Sequence, residues 1–366
     1  MQESTDLPNI AADDRPAYAK WQEQEGIDVI RGMCIADLRT VPLKPWKRKG
    51  GFGVFINLEG RGGENDAYLC EIPPGGSLVP QKHLFEETIF ILEGRGSTTV
   101  WNEGGMKHSF EWQPNSLFSP PLNTWHQHFN AQGSKPARYV AVTLAPLMMN
   151  VFHNMDFIFN NPFQFTDRFS GKKDYFLTEG RLCKTPDFGG RIWETNFVPD
   201  VLKCDLIGWK ERGAGGKSLF FEVSENSMAS HISQFPVGTY KKGHRHGPGA
   251  HVMIMTGKGY TLMWKEGTSI QRYDWKPGSM LVPPDMWFHQ HFNIGKEPAR
   301  YFVLQRRSSL KYKCGMEEWD LSKTDKSLKV GGNQIEYEDE DPIIREMFEK
   351  ELKKEGVECK MPTFKR

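Results

Sequence analysis

Apolar positions in this chain fall mainly into short runs closed by glycine and proline, not into long helical stripes. Ala67 to Ile72, Thr88 to Leu92 and Ser97 to Trp101 each read as a strand, and the Gly50-Gly51 and Gly60 to Gly63 clusters read as turns between earlier strands. A second series shows the apolar run Val252 to Met255 closed by Gly257 and Gly259, then Pro277-Gly278 ahead of Leu281 to Pro284. Helical spacing is found near the ends. One helix is predicted from Pro16 to Gln24, stopping at Gly26, with Trp21 packed on a neighbour. The other is predicted over 342–355, with Asp341 as cap, Pro342 at its first position, Ile344, Phe348 and Leu352 on one face and Gly356 as stop. The acidic run Glu336 to Asp341 reads as a solvated loop that places negative charge at that helix's N-terminus.

The two strand series are copies of one another. Shifting by 163 residues (238 − 163 = 75) places Gly75, His83, Gly94, Gly96, Trp101, Pro114, Pro121, His126, His128 and Asn130 on Gly238, His246, Gly257, Gly259, Trp264, Pro277, Pro284, His289, His291 and Asn293. The register reaches back to Asp37 on Asp200 and Trp46-Lys47 on Trp209-Lys210, and forward, after one deletion, to Pro136–Tyr139 on Pro298–Tyr301. The chain is therefore read as a duplicated domain. The expected organisation is an N-terminal extension (1–29), a first domain (30–145), an aromatic connection (146–192), a second domain (193–308) and a C-terminal extension (309–366). Between Leu147 and Phe169 the connection carries Phe152, Phe157, Phe159, Phe163, Phe165 and Phe169, too apolar for a free linker; it is expected to pack on a barrel and bridge the two.

Composition narrows the class. The 366 residues suffice for two ordinary cores, and 38% hydrophobic with 25% charged residues is a globular balance. A net charge of +1 gives no reason to expect nucleic acid or an anionic membrane as partner. Cys34, Cys70, Cys183, Cys204, Cys314 and Cys359 form no CxxC pair and read as reduced thiols, small buried hydrophobes of a cytoplasmic protein. The acidic first 15 residues lack the pattern of a secretory leader, which agrees with that location.

The chemistry lies in the histidines. His244 and His246 are one residue apart, so on an extended chain they share a face, and His289 returns on a later strand. This spacing, Gly238-x5-His244-x-His246 followed by Pro284-x-Met286-x2-His289-x3-Asn293, resembles the two motifs of the cupin superfamily. The resemblance implies an all-β fold of two tandem cupin (double-stranded β-helix, jelly-roll) barrels, here with flanking N- and C-terminal helices. The glutamate usual in that pattern is replaced by Gly249 or Ala250, and Ala250 is the counterpart of Glu87 (250 − 163 = 87). His251, next to it, is expected to face outward by alternation. His244, His246 and His289 thus form a set of three neutral ligands; a divalent ion held by them would keep its full charge and favour an anionic, bidentate oxygen substrate with room for O2.

His244-Arg245-His246-x3-Ala250 with Trp287-x-His289-x-His291-x-Asn293 looks like the gentisate and salicylate dioxygenase group of two-barrel cupins, which implies Fe(II) on His244, His246 and His289 and cleavage of a hydroxylated aromatic acid with O2. Phe288 stands where that group usually has tryptophan, and no substrate-carboxylate arginine is matched. The first repeat keeps His83, Glu87 and His126, with Gln81 in place of the first histidine: either a second metal site with Gln81 as a weak ligand, or a decayed duplicate. His128 and His291 share the ligand histidines' strand face; His291 is a candidate acid or base, and Gln305 and Arg306 are placed at the mouth of the second barrel. His108, His153 and His231 read as structural. Three readings follow: an Fe(II) dioxygenase; a Mn, Ni or Zn decarboxylase, isomerase or hydrolase; and a non-catalytic metal or small-ligand binder. A homo-oligomer is expected from the family resemblance.

Overall fold

The computed structural model describes residues 14–177, 179–184, 191–306 and 321–363. Its strands form two barrels, each a large sheet closed over a three-stranded sheet. In the first, the large sheet runs Val29–Gly32, Gly51–Leu58, Asp66–Ile72, Ala137–Thr143, Glu87–Glu93 and Leu117–Phe118, and the facing sheet runs Trp125–Asn130, Gly96–Trp101 and His108–Trp112. The second repeats this with Ile192–Thr195, Lys217–Val223, Met228–Phe235, Ala299–Arg306, His251–Thr256 and Met280–Leu281 facing Phe288–Asn293, Gly259–Trp264 and Gln271–Trp275. The offset survives into pairing register: Gly96 opposes Asn130 as Gly259 opposes Asn293.

Each repeat also lends the other a strand. Phe197–Val198 pairs with Leu117–Phe118 of the first barrel, while Cys34–Ile35 pairs with Met280–Leu281 of the second. Both exchanged segments are related by the same shift (34 + 163 = 197). One apolar cluster therefore runs through both halves, joining Ile56, Leu69, Phe90 and Val140 to Phe221, Met253, Phe302 and Leu304, with the Phe90 and Phe302 rings stacked at 4.9 Å. Burying such large apolar side chains contributes about 1.5–3 kcal/mol each, so the junction is core, not a loose contact between domains.

The terminal helices lie at Ala17–Glu25 and Pro342–Glu355, with Gly26 and Gly356 in left-handed conformation at their ends. Trp21 packs on Phe55 and Phe159, and Ile344, Phe348 and Leu352 are buried against Tyr240 and Phe292. The connection holds two short helices, Ala145–Phe152 and Met155–Asn160, and rests on the first barrel through Ile158, Phe159 and Phe169; Phe152, Phe157 and Phe163 are exposed. Two expectations are corrected. The acidic run is not free in solvent: Glu340 is buried, accepting from Tyr240 and Gln290, and Glu336 pairs with Lys242, because these groups seat the tail on the second barrel. Of the described cysteines only Cys70 is a buried hydrophobe, and Cys34 is exposed because it sits on the short exchanged strand; Cys314 lies outside the described residues. No helix among the described residues is long and apolar enough to cross a membrane.

Candidate metal sites

Within the second barrel the backbone of residue 244 bridges to residue 289, bringing His244 and His289 face to face, and His246 completes the cluster. One nitrogen from each lies within 4.8 Å of the others. The rings are oriented by backbone. His244 Nδ1 faces Lys242 O (3.3 Å), His246 Nδ1 faces Gly247 O (2.8 Å) and His289 Nδ1 faces Trp287 O (3.3 Å). A carbonyl only accepts, so each Nδ1 carries the hydrogen and each Nε2 keeps a lone pair free for a cation. Burial, then the nearby Arg212 and His289 charges, holds His244 well below its ordinary range; burial with His246 and His291 does the same for His289. His244 and His289 are thereby held neutral, as a metal-ligating imidazole must be.

Arg245, between the two ligand-type histidines, points away: its guanidinium lies 4.6 Å from the Phe288 ring, which stacks on Trp264. Lys82 over Trp125, stacked on Trp101, repeats that arrangement in the first barrel. The phenylalanine at 288 thus serves as an outer wall. Gly249 has φ +89, and a Cβ there would meet Asn65 Oδ1 at 2.2 Å, so no side chain is accommodated at that position. Ala250 faces the pocket beside Val252. His251 does alternate away from the pocket, yet it is fully buried, because the outer face of its strand is covered by the junction between barrels; burial pushes it down to about 4.

The pocket over the three histidines is walled by Trp209, Phe220, Val252 and Val303, with Arg212, His231, His291, Tyr301, Gln305 and Thr324 adding polar atoms. Arg212 is the cation that motif spacing did not find. Its Nε pairs with Asp325 at 2.9 Å, while its Nη1 is buried with no hydrogen-bond partner among the described residues. The repeat offset places it on Lys49 (49 + 163 = 212), three residues past the matched Trp46 and Trp209, which aligns the position without marking it as part of a site. Asp325 and Thr324 belong to the tail, which straps the barrel mouth through Arg245 N to Asn333 O and Ile335 N to Gly243 O. His291 Nδ1 is 2.8 Å from Thr261 Oγ1, which accepts from Trp275 Nε1 at 3.0 Å; burial, Lys241 and Arg212 push His291 down to about 3. Gln305 lies on the wall with Nε2 buried and without a hydrogen-bond partner among the described residues, and the side chain of Arg306 lies outside the described residues. His231, read as structural, also lines this wall. His108 is buried beside Phe169, and His153 ends a helix in left-handed conformation.

In the first barrel one ligand atom each of His83, Glu87 and His126 also lies within 4.8 Å of the others. Their Nε2, Oε2 and Nε2 atoms are all buried without a hydrogen-bond partner among the described residues, 3.5 and 3.8 Å apart across Glu87, while the other ring nitrogens face Phe85 O and Thr124 O. Three orphaned donor atoms aimed at one point fit a divalent cation. Burial opposes the Glu87 charge, but Lys49 and the two imidazoles outweigh it and hold the carboxyl well below its usual range. Gln81 is corrected: its backbone matches His244, but its amide oxygen takes the Lys49 ammonium at 2.9 Å and its nitrogen donates to Arg48 O, so the amide is committed elsewhere.

Residues 68–143 match the family model of the cupin domain. Residues 68–143 are thus a cupin domain, and a second barrel of the same topology follows at the same offset, so the chain has an all-β fold of two such barrels. Among solved structures, oxalate decarboxylase from Bacillus subtilis, in a study of its Mn(II) centres, is similar at 15% identity and a TM-score of 0.50, over 78% of this chain and 80% of that one. Two variants of the same enzyme, an arginine-to-alanine and a glutamate-to-alanine form, are similar at 15% and 14% identity with the same coverages and TM-score. No curated protein matches by sequence.

Proposed function

We propose that the chain is a metal-dependent two-barrel enzyme acting on a small anionic substrate in the second-barrel pocket. The observation that carries this is the pairing of three imidazoles oriented by backbone carbonyls with the buried Nη1 of Arg212, which has no hydrogen-bond partner among the described residues. A divalent ion on His244, His246 and His289 would polarise the oxygens of a bound substrate. Arg212 offers planar N–H groups to a carboxylate. Gln305 donates from the opposite wall, and His291, neutral and fixed by Thr261, presents its remaining nitrogen to the pocket.

The favoured reaction is redox-neutral breakdown of a small carboxylate, with Mn, Ni or Zn as the ion. Its support is the first barrel, where two imidazoles and a carboxylate suit manganese, the metal named for the similar oxalate decarboxylase. The second reading, Fe(II) with O2 cleaving a hydroxylated aromatic acid, is favoured by the absence of a carboxylate at Ala250 and by walls of Trp209, Phe220, Val252 and Val303 that would flank a ring. The test is elemental analysis of protein purified without added metal, beside His246→Ala and His83→Ala, with O2 uptake and product formation on oxalate and on hydroxybenzoates. Manganese bound in both barrels and oxalate turnover without O2 uptake meets the first reading. Iron lost only in His246→Ala, with O2 uptake on a hydroxybenzoate, replaces it with the second. Stoichiometric metal with no turnover removes the enzyme assignment.

A further inference from the structure

We propose that Tyr301 exchanges a proton with the substrate in the second-barrel pocket, and that Lys241 is the positioning residue that holds the charge left on Tyr301. The inference rests on the reading of that pocket as the substrate chamber. Tyr301 lies on Ala299–Arg306 and alternates with Val303 and Gln305 onto the pocket wall, its ring 4.9 Å from that of His291. Lys241, which is not on the pocket lining, donates from Nζ to the Tyr301 hydroxyl at 2.9 Å and to Ser233 Oγ.

Lys241 is 1% exposed, and its surroundings are aromatic: Nζ is 4.8 Å from the Tyr301 ring centroid, 5.7 Å from Phe235 and 5.8 Å from Trp209. The charged groups that reach it are Arg212, of like sign, and Asp325, already paired with Arg212. A buried ammonium without a carboxylate partner is costly. The phenol oxygen in contact with it is the group that can take up the opposite charge. The groups facing Tyr301 are Lys241, Ser233, Arg212, His231 and His291, none of them anionic. Burial alone would push the phenol up; Lys241 and the hydrogen bonds to it bring it below its ordinary value.

The first barrel is an internal control. The counterparts of Ser233, Lys241 and Tyr301 there are Cys70, Leu78 and Tyr139 (233 − 163 = 70; 241 − 163 = 78; one deletion precedes Tyr139). Tyr139, lacking the ammonium, is held well above its ordinary range by burial, with Cys70 and Glu87 adding to it. The same tyrosine thus stands in both barrels, but an ammonium contacts its hydroxyl only where the pocket carries Arg212. In the step, the Tyr301 O–H bond breaks as its proton passes to the substrate atom that gains the electron pair; the phenolate stays against Lys241 and recovers a proton from water, or the reverse.

The experiment follows tyrosinate absorbance against pH in the full chain, for wild type, Tyr301→Phe, Lys241→Met, Lys241→Arg and Tyr139→Phe. One of the ten tyrosines should ionise ahead of the rest in wild type, Lys241→Arg and Tyr139→Phe, and not in Tyr301→Phe. Loss of that early tyrosine in Lys241→Met supports the pairing; if Lys241→Met does not fold, its retention in Lys241→Arg carries the point. Identical titrations of wild type and Tyr301→Phe overturn the proposal. On whichever of oxalate or a hydroxybenzoate is turned over, Tyr301→Phe should lower kcat by about 10²- to 10⁴-fold with metal content unchanged. Unchanged kcat overturns the proton role alone, whereas absent turnover in wild type overturns the enzyme reading beneath it.

Discussion

The two barrels share a backbone and differ in where charge is placed. Around His83 and His126 the first sets the anion Glu87 against Lys49, in a pocket closed by Tyr18, Trp21 and Phe159, and the other cation on its lining, Arg48, is paired with Glu25 at 2.6 Å. Around His244, His246 and His289 the second has Ala250 for Glu87, Arg212 for Lys49 and a further buried cation, Lys241, for Leu78, with Asp325 of the tail as the nearby carboxylate. The first site therefore balances its own charge, and a metal there would be held without calling for an anion from outside. The second holds an excess of positive charge that a metal would increase. Duplication left the strands in register, while changes at a few wall positions moved the demand for an anionic ligand to one barrel.

Exchanging the carboxylate is the strongest way to break that contrast. Glu87→Ala should weaken divalent-metal binding in the first barrel by at least about 100-fold, since even the outer partners of metal ligands are worth 10- to 100-fold. Ala250→Glu should tighten binding in the second while abolishing turnover, as the new carboxylate neutralises the ion and fills the space for substrate. Isothermal titration of chelator-treated protein with Mn(II) reads both affinities; unchanged affinity in Glu87→Ala would show that the first cluster is not a metal site.

Acid acts on both barrels together and does not separate them. Burial, with Lys49 in one barrel and with Lys241 and Arg212 in the other, pushes His128 and His291 down to about 3. Because the folded forms are neutral, the unfolded chain binds more protons below about 6.5, and stability falls as pH drops from 6.5 towards 3, on the order of 4 kcal/mol for each imidazole. Chemical denaturation of metal-free His128→Gln and His291→Gln should show a shallower loss over that range. The same slope as wild type would contradict the burial of neutral imidazoles.

The smallest expected effect concerns the hydroxyls behind these rings. Thr98 and Thr261 each join a histidine to a tryptophan, at 2.7 and 3.0 Å in the first barrel and 2.8 and 3.0 Å in the second. Thr98→Val and Thr261→Val should each cost about 1 kcal/mol in thermal stability. Only Thr261→Val should also alter turnover, because only His291 faces the proposed substrate chamber; equal effects of the two on activity would assign chemistry to both barrels.

Much of this was legible in sequence where the controlling interactions are local. Alternation along strands placed His126, His128, His289 and His291, and along an extended segment outside the named strands it placed His244 and His246; glycine and proline marked the turns, and Asp341, Pro342 and Gly356 bounded the last helix. Repetition at one offset disclosed the two barrels and the loss of the second carboxylate at Ala250. What lay beyond reach depends on partners remote in the chain. The amide of Gln81 has the composition of a ligand, but Lys49, 32 residues away, claims its oxygen. Arg212 resembles any surface cation in sequence; only folding buries it under a tail carboxylate 113 residues further on (325 − 212). The reciprocal strands at Cys34–Ile35 and Phe197–Val198 are too short to carry a pattern of their own.

The sequence by itself determined the duplicated all-β frame and the imidazoles that face inward, because both follow from periodicities of two residues and of 163. Tertiary structure decided which buried charges meet, which mouth the tail straps and where His251 ends up, because electrostatics and burial act through space on groups that the chain order keeps far apart.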